Sequence, residues 1–139
     1  MDFEDDAVFP YEAETWGVMV RVFPEFVDDE SSPEHNEYLW RYTVQIENNV
    51  DHTIQLVNRH WEITDARGRR QVVDGEGVVG EKPVLAPGES FVYVSGCPLN
   101  EPSGVMVGRY GMRREDGIEF DVTIPAFSLD SPHETARRN

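Results

Sequence analysis

The sequence predicts an all-β domain, an antiparallel β-sandwich of about seven to eight strands. Three observations carry that expectation. Apolar and polar residues alternate with a period of two over several long runs, turn-forming residues separate these runs at short intervals, and no sustained 3.6-residue pattern occurs. Short connections favour antiparallel pairing, which leaves one face of each strand in solvent.

Val18, Val20 and Val22 begin the first strand, which Pro24 should confine to an edge or a bulge. Asp28–Asn36 (DDESSPEHN) reads as a charged loop. From Tyr38 the even positions Trp40, Tyr42, Val44 and Ile46 are apolar while Arg41, Thr43, Gln45 and Glu47 are polar, the mark of a half-buried strand. In Ile54–Thr64 the apolar positions are even at Ile54 and Leu56, then odd at Val57, Trp61 and Ile63. A parity change of that kind predicts a β-bulge. Gln71–Val73, Ser90–Val94 and Val105–Met112 read as further strands, and Ile118, Phe120, Val122 and Ile124 alternate as the last. Asn48–Asp51, Asp65–Gly68, Pro87-Gly88 and Glu115–Gly117 supply the turns, with residues that accept positive φ or preset it near −65°.

At 139 residues the chain suffices for one core without disulfides or metal. The expected organisation is an acidic, mobile arm over residues 1–14, the sandwich over 15–130, and a frayed tail over 131–139. Lys and Arg number 12 against 27 Asp and Glu, a formal charge of −15. Such a surface repels nucleic-acid backbones and anionic lipid, so neither is an expected partner. Hydrophobic runs are too short for a membrane span, which needs roughly 20 residues. The N-terminus MDFEDDAVFP lacks the basic and apolar regions of a signal peptide, so a cytoplasmic location is expected. Cys97 is the only cysteine, which excludes an intramolecular disulfide.

Gly75-Glu76-Gly77-Val78-Val79-Gly80 spells G-x-G-x-x-G. In dinucleotide-binding folds those glycines precede a helix whose free N–H groups meet a pyrophosphate. Here Pro83 and Pro87-Gly88 follow and forbid a helix of useful length. Asp74, Glu76 and Glu81 flank the run, and each repels a phosphate by ~1 kcal/mol at 4 Å in water. A structural glycine loop is the expectation, with weak anion binding as the alternative. In Arg59-His60-Trp61, consecutive side chains of a strand point apart, so Arg59 shares the Trp61 side and His60 faces away with Glu62. His60 and Glu62 make a two-ligand start for a metal site, and Asp28, Asp29, Glu30 and Glu34 another, but neither has ligand spacing. Cys97, read as sitting at a strand end before Pro98, lacks the helix N-terminus or neighbouring His that activates a thiol. No cofactor and no catalytic set is expected.

Asn58–Trp61, Gly75–Ser90 and Ser95–Leu99, with Tyr42–Asn48 before and Phe120–Phe127 after, resemble in order and spacing the bacterial ApaG family. The resemblance runs from about Val18 to Leu129. It implies an immunoglobulin-like sandwich of the fibronectin type III kind and a link to cobalt and magnesium efflux. Related domains in F-box proteins imply protein binding, and a pyrophosphate-binding idea attached to the glycine motif falls on Gly75, Gly77 and Gly80. The expected function is a non-enzymatic interaction module. It presents the loops around Gly75–Gly80 and Ser95–Leu99, with Arg59, His60 and Cys97 as secondary candidates, or a sheet edge, to an unidentified protein partner. Pyrophosphate or nucleotide binding at the loop and direct divalent-cation binding are the alternatives.

Overall fold

The computed structural model describes residues 9–133. Among these residues nine strands form two antiparallel sheets. The first holds β1 (Tyr11–Thr15), β2 (Val18–Phe26), β3 (Tyr38–Asn48) and β7 (Ser90–Leu99) in the order β1-β2-β3-β7. The second holds β4 (Ile54–Asp65), β5 (Arg70–Glu76), β8 (Gly104–Arg114) and β9 (Glu119–Leu129) in the order β5-β4-β8-β9, with the two-residue β6 (Val84–Leu85) also on β4.

The alternation read from the sequence sets the inner faces. Val18, Val20, Val44 and Ile46 from one sheet meet Leu56, Met112, Val122 and Ile124 from the other, all at most 2% exposed. Tyr42, Trp61 and Phe127 pack mutually at the centre, with ring centroids 5.6 to 5.9 Å apart. Tilted and edge-to-face contacts of this kind add to the burial of their large apolar surfaces.

The parity change in β4 is the expected bulge: its register against β8 shifts between Leu56 and Asn58. Pro24 needs a narrower description than an edge strand. Pairing of β1 on β2 ends at Val22, so β2 is internal up to there and becomes an edge where Pro24 sits, opposite Tyr42.

Two expectations about the ends are corrected. The acidic arm assigned to residues 1–14 supplies β1 from Tyr11, because Tyr11 and Ala13 alternate with Glu12 and Glu14 and pair with Val22 and Val20. Residues 1–8 lie outside the described residues. The tail assigned to 131–139 is docked as far as residue 133: Ser131 Oγ donates to the Pro102 carbonyl at 2.7 Å, and the His133 ring lies against Phe26 and Tyr38. The rest of it also lies outside the described residues.

One lateral side of the sandwich is closed, since Tyr11 Oη and Ser128 Oγ share a hydrogen bond at 3.0 Å and Thr123 N–H donates to Thr15 Oγ1 at 3.0 Å. On the other side, β7 and β5 are the unjoined edges of their sheets, and they frame a cleft.

Asn48, fully buried, ties the β3–β4 turn to β6. Its Nδ2 donates to the carbonyls of His52 (2.8 Å) and Leu85 (3.0 Å), and its Oδ1 accepts from Val50 N–H (3.0 Å). Asn48→Ala leaves these groups without partners and is expected to cost about 2–3 kcal/mol. Urea denaturation measures this, and a loss below about 0.5 kcal/mol contradicts the assigned role.

Candidate functional site

The glycine motif is a strand end and a hairpin. Gly75 and Glu76 close β5, paired with Arg59 and Asn58 of β4. Val78 and Glu81 then exchange both main-chain hydrogen bonds at 2.8 Å. Val79 (φ 43°) and Gly80 (φ 82°) are the central residues of this two-residue turn. Positive φ at both positions is the I′ geometry that matches the twist of the flanking strands.

Each glycine answers a local constraint. A Cβ on Gly75 would lie 2.7 Å from Cζ of Arg59, whose guanidinium crosses over that position. One on Gly77 would lie 2.3 Å from the Glu81 carbonyl oxygen. The Gly77 N–H donates to the Val57 carbonyl at 2.8 Å, so the amides of Gly77, Val78 and Glu81 are all engaged by backbone. The N–H cluster that cradles a phosphate at a helix start is not built here.

Arg59 faces inward with Trp61, as strand parity requires. Its Nη1 donates to the carbonyls of Glu76 (3.0 Å) and Gly77 (2.8 Å) and braces the base of the hairpin. Around it opens a cleft of about 280 Å³, lined by Tyr42, Tyr93 and Ser95 of the first sheet, by Trp61 and Glu76 of the second, and by the hairpin residues Val78–Gly80. The Tyr93 and Tyr110 hydroxyls hydrogen-bond each other beneath it. Burial pushes the phenols of Tyr42, Tyr93 and Tyr110 up, against the opposing pull of the Arg59 charge on each, so all three are neutral hydrogen-bonding groups. The Lys82 ammonium, 2.8 Å from Glu76, holds that carboxyl below its ordinary range.

The other sequence candidates separate from this cleft. His60 lies on the outer face of the second sheet, with Nε2 at 2.9 Å from Glu62 and Nδ1 at 2.6 Å from Asp74. Cys97 is not at a turn. It lies inside β7, paired with Trp40, and burial pushes its thiol up to about 11. β7 runs on through Pro98 because an edge strand tolerates a residue without an N–H. Asp28–Glu30 and Pro33–His35 form two 3₁₀ turns between β2 and β3. Among the described residues, no group of three or more His, Cys, Asp and Glu is placed to hold a metal ion. No helix there is long and apolar enough to cross a membrane.

Tyr42 and Tyr93 are not legible in the sequence as site residues, and Ser95, expected in a presented loop running to Leu99, lies inside β7. Alternation assigns Tyr42 to a core face, and only the β3–β7 register, which sets Tyr42 opposite Ser95 and Val44 opposite Tyr93, brings them to Arg59.

Fold and cleft define a small β-sandwich domain with a cation set into its open edge. The model of the ApaG domain matches residues 28–114. Protein ApaG of Paramagnetospirillum magneticum is 56% identical over 129 residues, covering 93% of this chain and 99% of the relative. Protein ApaG of Brucella canis is 54% identical over the same shares. A solved structure from Bordetella pertussis, described as an ApaA protein, superposes with a TM-score of 0.81 at 46% identity, covering 88% of this chain and 98% of that one. The chain belongs to the ApaG family.

Hydrogen bonds to Glu62 first, and then to Asp74, raise the His60 pKa above its ordinary 6.5. The stabilisation from this contact is therefore complete below the unfolded value and lost as pH rises through the folded one. The lowered Glu62, held down first by His60, contributes in the opposite sense, losing its share as pH falls through its folded value. The melting temperature of wild type relative to His60→Gln is expected to fall as pH rises above the ordinary histidine value of 6.5, and to fall less in high salt. A difference independent of pH contradicts the contact.

Proposed function

We propose that this ApaG domain is a non-enzymatic protein-interaction module whose contact element is the hairpin tip over the Arg59 cleft. The observation that carries the reading is Val79. A β-branched residue at φ 43° sits in a region that glycine and asparagine occupy readily and valine does not. The left-handed conformation costs roughly 1–2 kcal/mol. Burial does not offset this, because Val79 is 53% exposed. Trp16 also has positive φ, in the β1–β2 turn, and is 81% exposed, but its ring has an internal partner, stacking on Phe120 at 6.4 Å. Val79 thus holds an apolar side chain out to solvent on a braced turn, at a strain that a binding role accounts for.

The neighbouring chemistry supports binding rather than catalysis. The Cys97 thiol is raised out of the nucleophile range, and both ring nitrogens of His60 are held by carboxylates. Among the described residues, edge strand β7 has a partner on one side only and shows Val92 and Val94 to solvent, which offers a second contact surface beside the hairpin. In this reading the cobalt and magnesium link is indirect, through the partner, and the location is cytoplasmic.

Val79→Asn should relieve the strain and raise stability by about 1 kcal/mol while removing the apolar contact. Denaturant unfolding and affinity capture from lysate measure the two effects together. A variant that is more stable and loses a wild-type partner supports the reading. One that captures the same partners as wild type removes it.

A further inference from the structure

The cleft combines features that specify the chemistry of what enters it. Arg59 is the exception in the ion pairing of this acidic protein. Among the described residues every other arginine and lysine has a carboxylate within 4.0 Å, while Arg59 has none. The acceptors it has are the two main-chain carbonyls at Nη1. A guanidinium carries five N–H donors in a planar fork, so the Nε and Nη2 edge, the one that takes a carboxylate side-on, has no acceptor among the described residues. This cation is partly withdrawn from water between Trp61, Tyr42 and Tyr93, where a charge is stabilised best by a charge of opposite sign.

The number of negative charges the cleft accepts is also constrained. Glu76 lines the same cleft and is already neutralised by Lys82. One guanidinium therefore balances one further negative charge. A phosphate dianion or pyrophosphate brings uncompensated charge beside Glu76, in a chain whose formal charge is −15. A carboxylate brings one. Ser95 and the tyrosines add neutral hydrogen-bonding groups around it.

We propose that the protein partner delivers a carboxylate side chain, of glutamate or aspartate, into this cleft, and that Arg59 is the residue selecting it. The inference rests on the interaction-module reading and adds the partner's chemistry to it. Val79 meets the partner at the rim, and Arg59 pairs with the acidic side chain inside. Arg59 also braces the hairpin, so removing it alters structure as well as charge, and the test has to separate the two.

The probes are N-acetyl-glutamate α-amide and its neutral isostere N-acetyl-glutamine α-amide, titrated into the full chain and followed by NMR at the Trp61 indole and the hairpin amides. The glutamate probe is expected to bind in the millimolar range and at least tenfold more tightly than the glutamine probe. Arg59→Met should abolish that ratio while its melting transition shows a folded protein. The comparison in wild type stands alone if that variant does not fold. Equal binding of the two probes, binding that leaves the Trp61 indole unmoved, or a ratio unchanged in a folded Arg59→Met variant overturns the proposal. If the probes bind equally while Val79→Asn still loses its partner, the carboxylate inference fails and the interaction reading stands. If the ratio is found and Val79→Asn keeps every partner, the hairpin-tip reading fails by itself.

Discussion

The Arg59 guanidinium lies across the unsubstituted Cα of Gly75, with two carbonyls of the β5 end held on its Nη1. Most of what distinguishes this sandwich depends on that contact. An inward-facing strand position would ordinarily carry an apolar side chain and seal the two sheets together, as the side chains of β2 and β9 do. A charged group there must keep access to polar partners, so the edge between β5 and β7 stays open. The hairpin then closes over it as a rim, and the apolar core ends at Tyr42, Trp61 and Tyr93, the cleft's aromatic wall.

The same contact gives the glycine motif a different meaning from the one its spelling invites. Gly75 makes room for a guanidinium, Gly77 for a carbonyl, and Gly80 completes a turn. These are demands of sheet register and turn geometry, and they recur at spacings that resemble a phosphate loop without its helix or its free amides. The chemical potential of the site resides in side chains: one cation, neutral hydroxyls and an exposed valine.

How much of this was legible in the sequence follows from the range of the forces involved. Alternation in β3 and β9, the bulge after Leu56 and the turn at Pro87-Gly88 are local consequences of strand geometry, and they read directly from residue order. The inward orientation of Arg59 followed from the parity of Trp61. β1 was hidden because a polar, acidic strand with one half-covered face resembles a solvated arm. Pro98 marks a strand end at Cys97 only in a strand paired on both sides, and β7 is an edge. The meeting of Ser95 and Tyr93 with Arg59 depends on which strands are edges and on the β3–β7 register, and both are fixed by packing of the whole sandwich.

The central claim is that the hairpin amides serve the fold and that binding belongs to the side chains above them. Native-state hydrogen exchange at Gly77, Val78 and Glu81, with and without pyrophosphate, tests this most directly. Slow exchange at all three amides, unchanged by pyrophosphate, is the predicted result. Fast exchange that slows when pyrophosphate is added would contradict the account, because it would show those donors waiting for an anion.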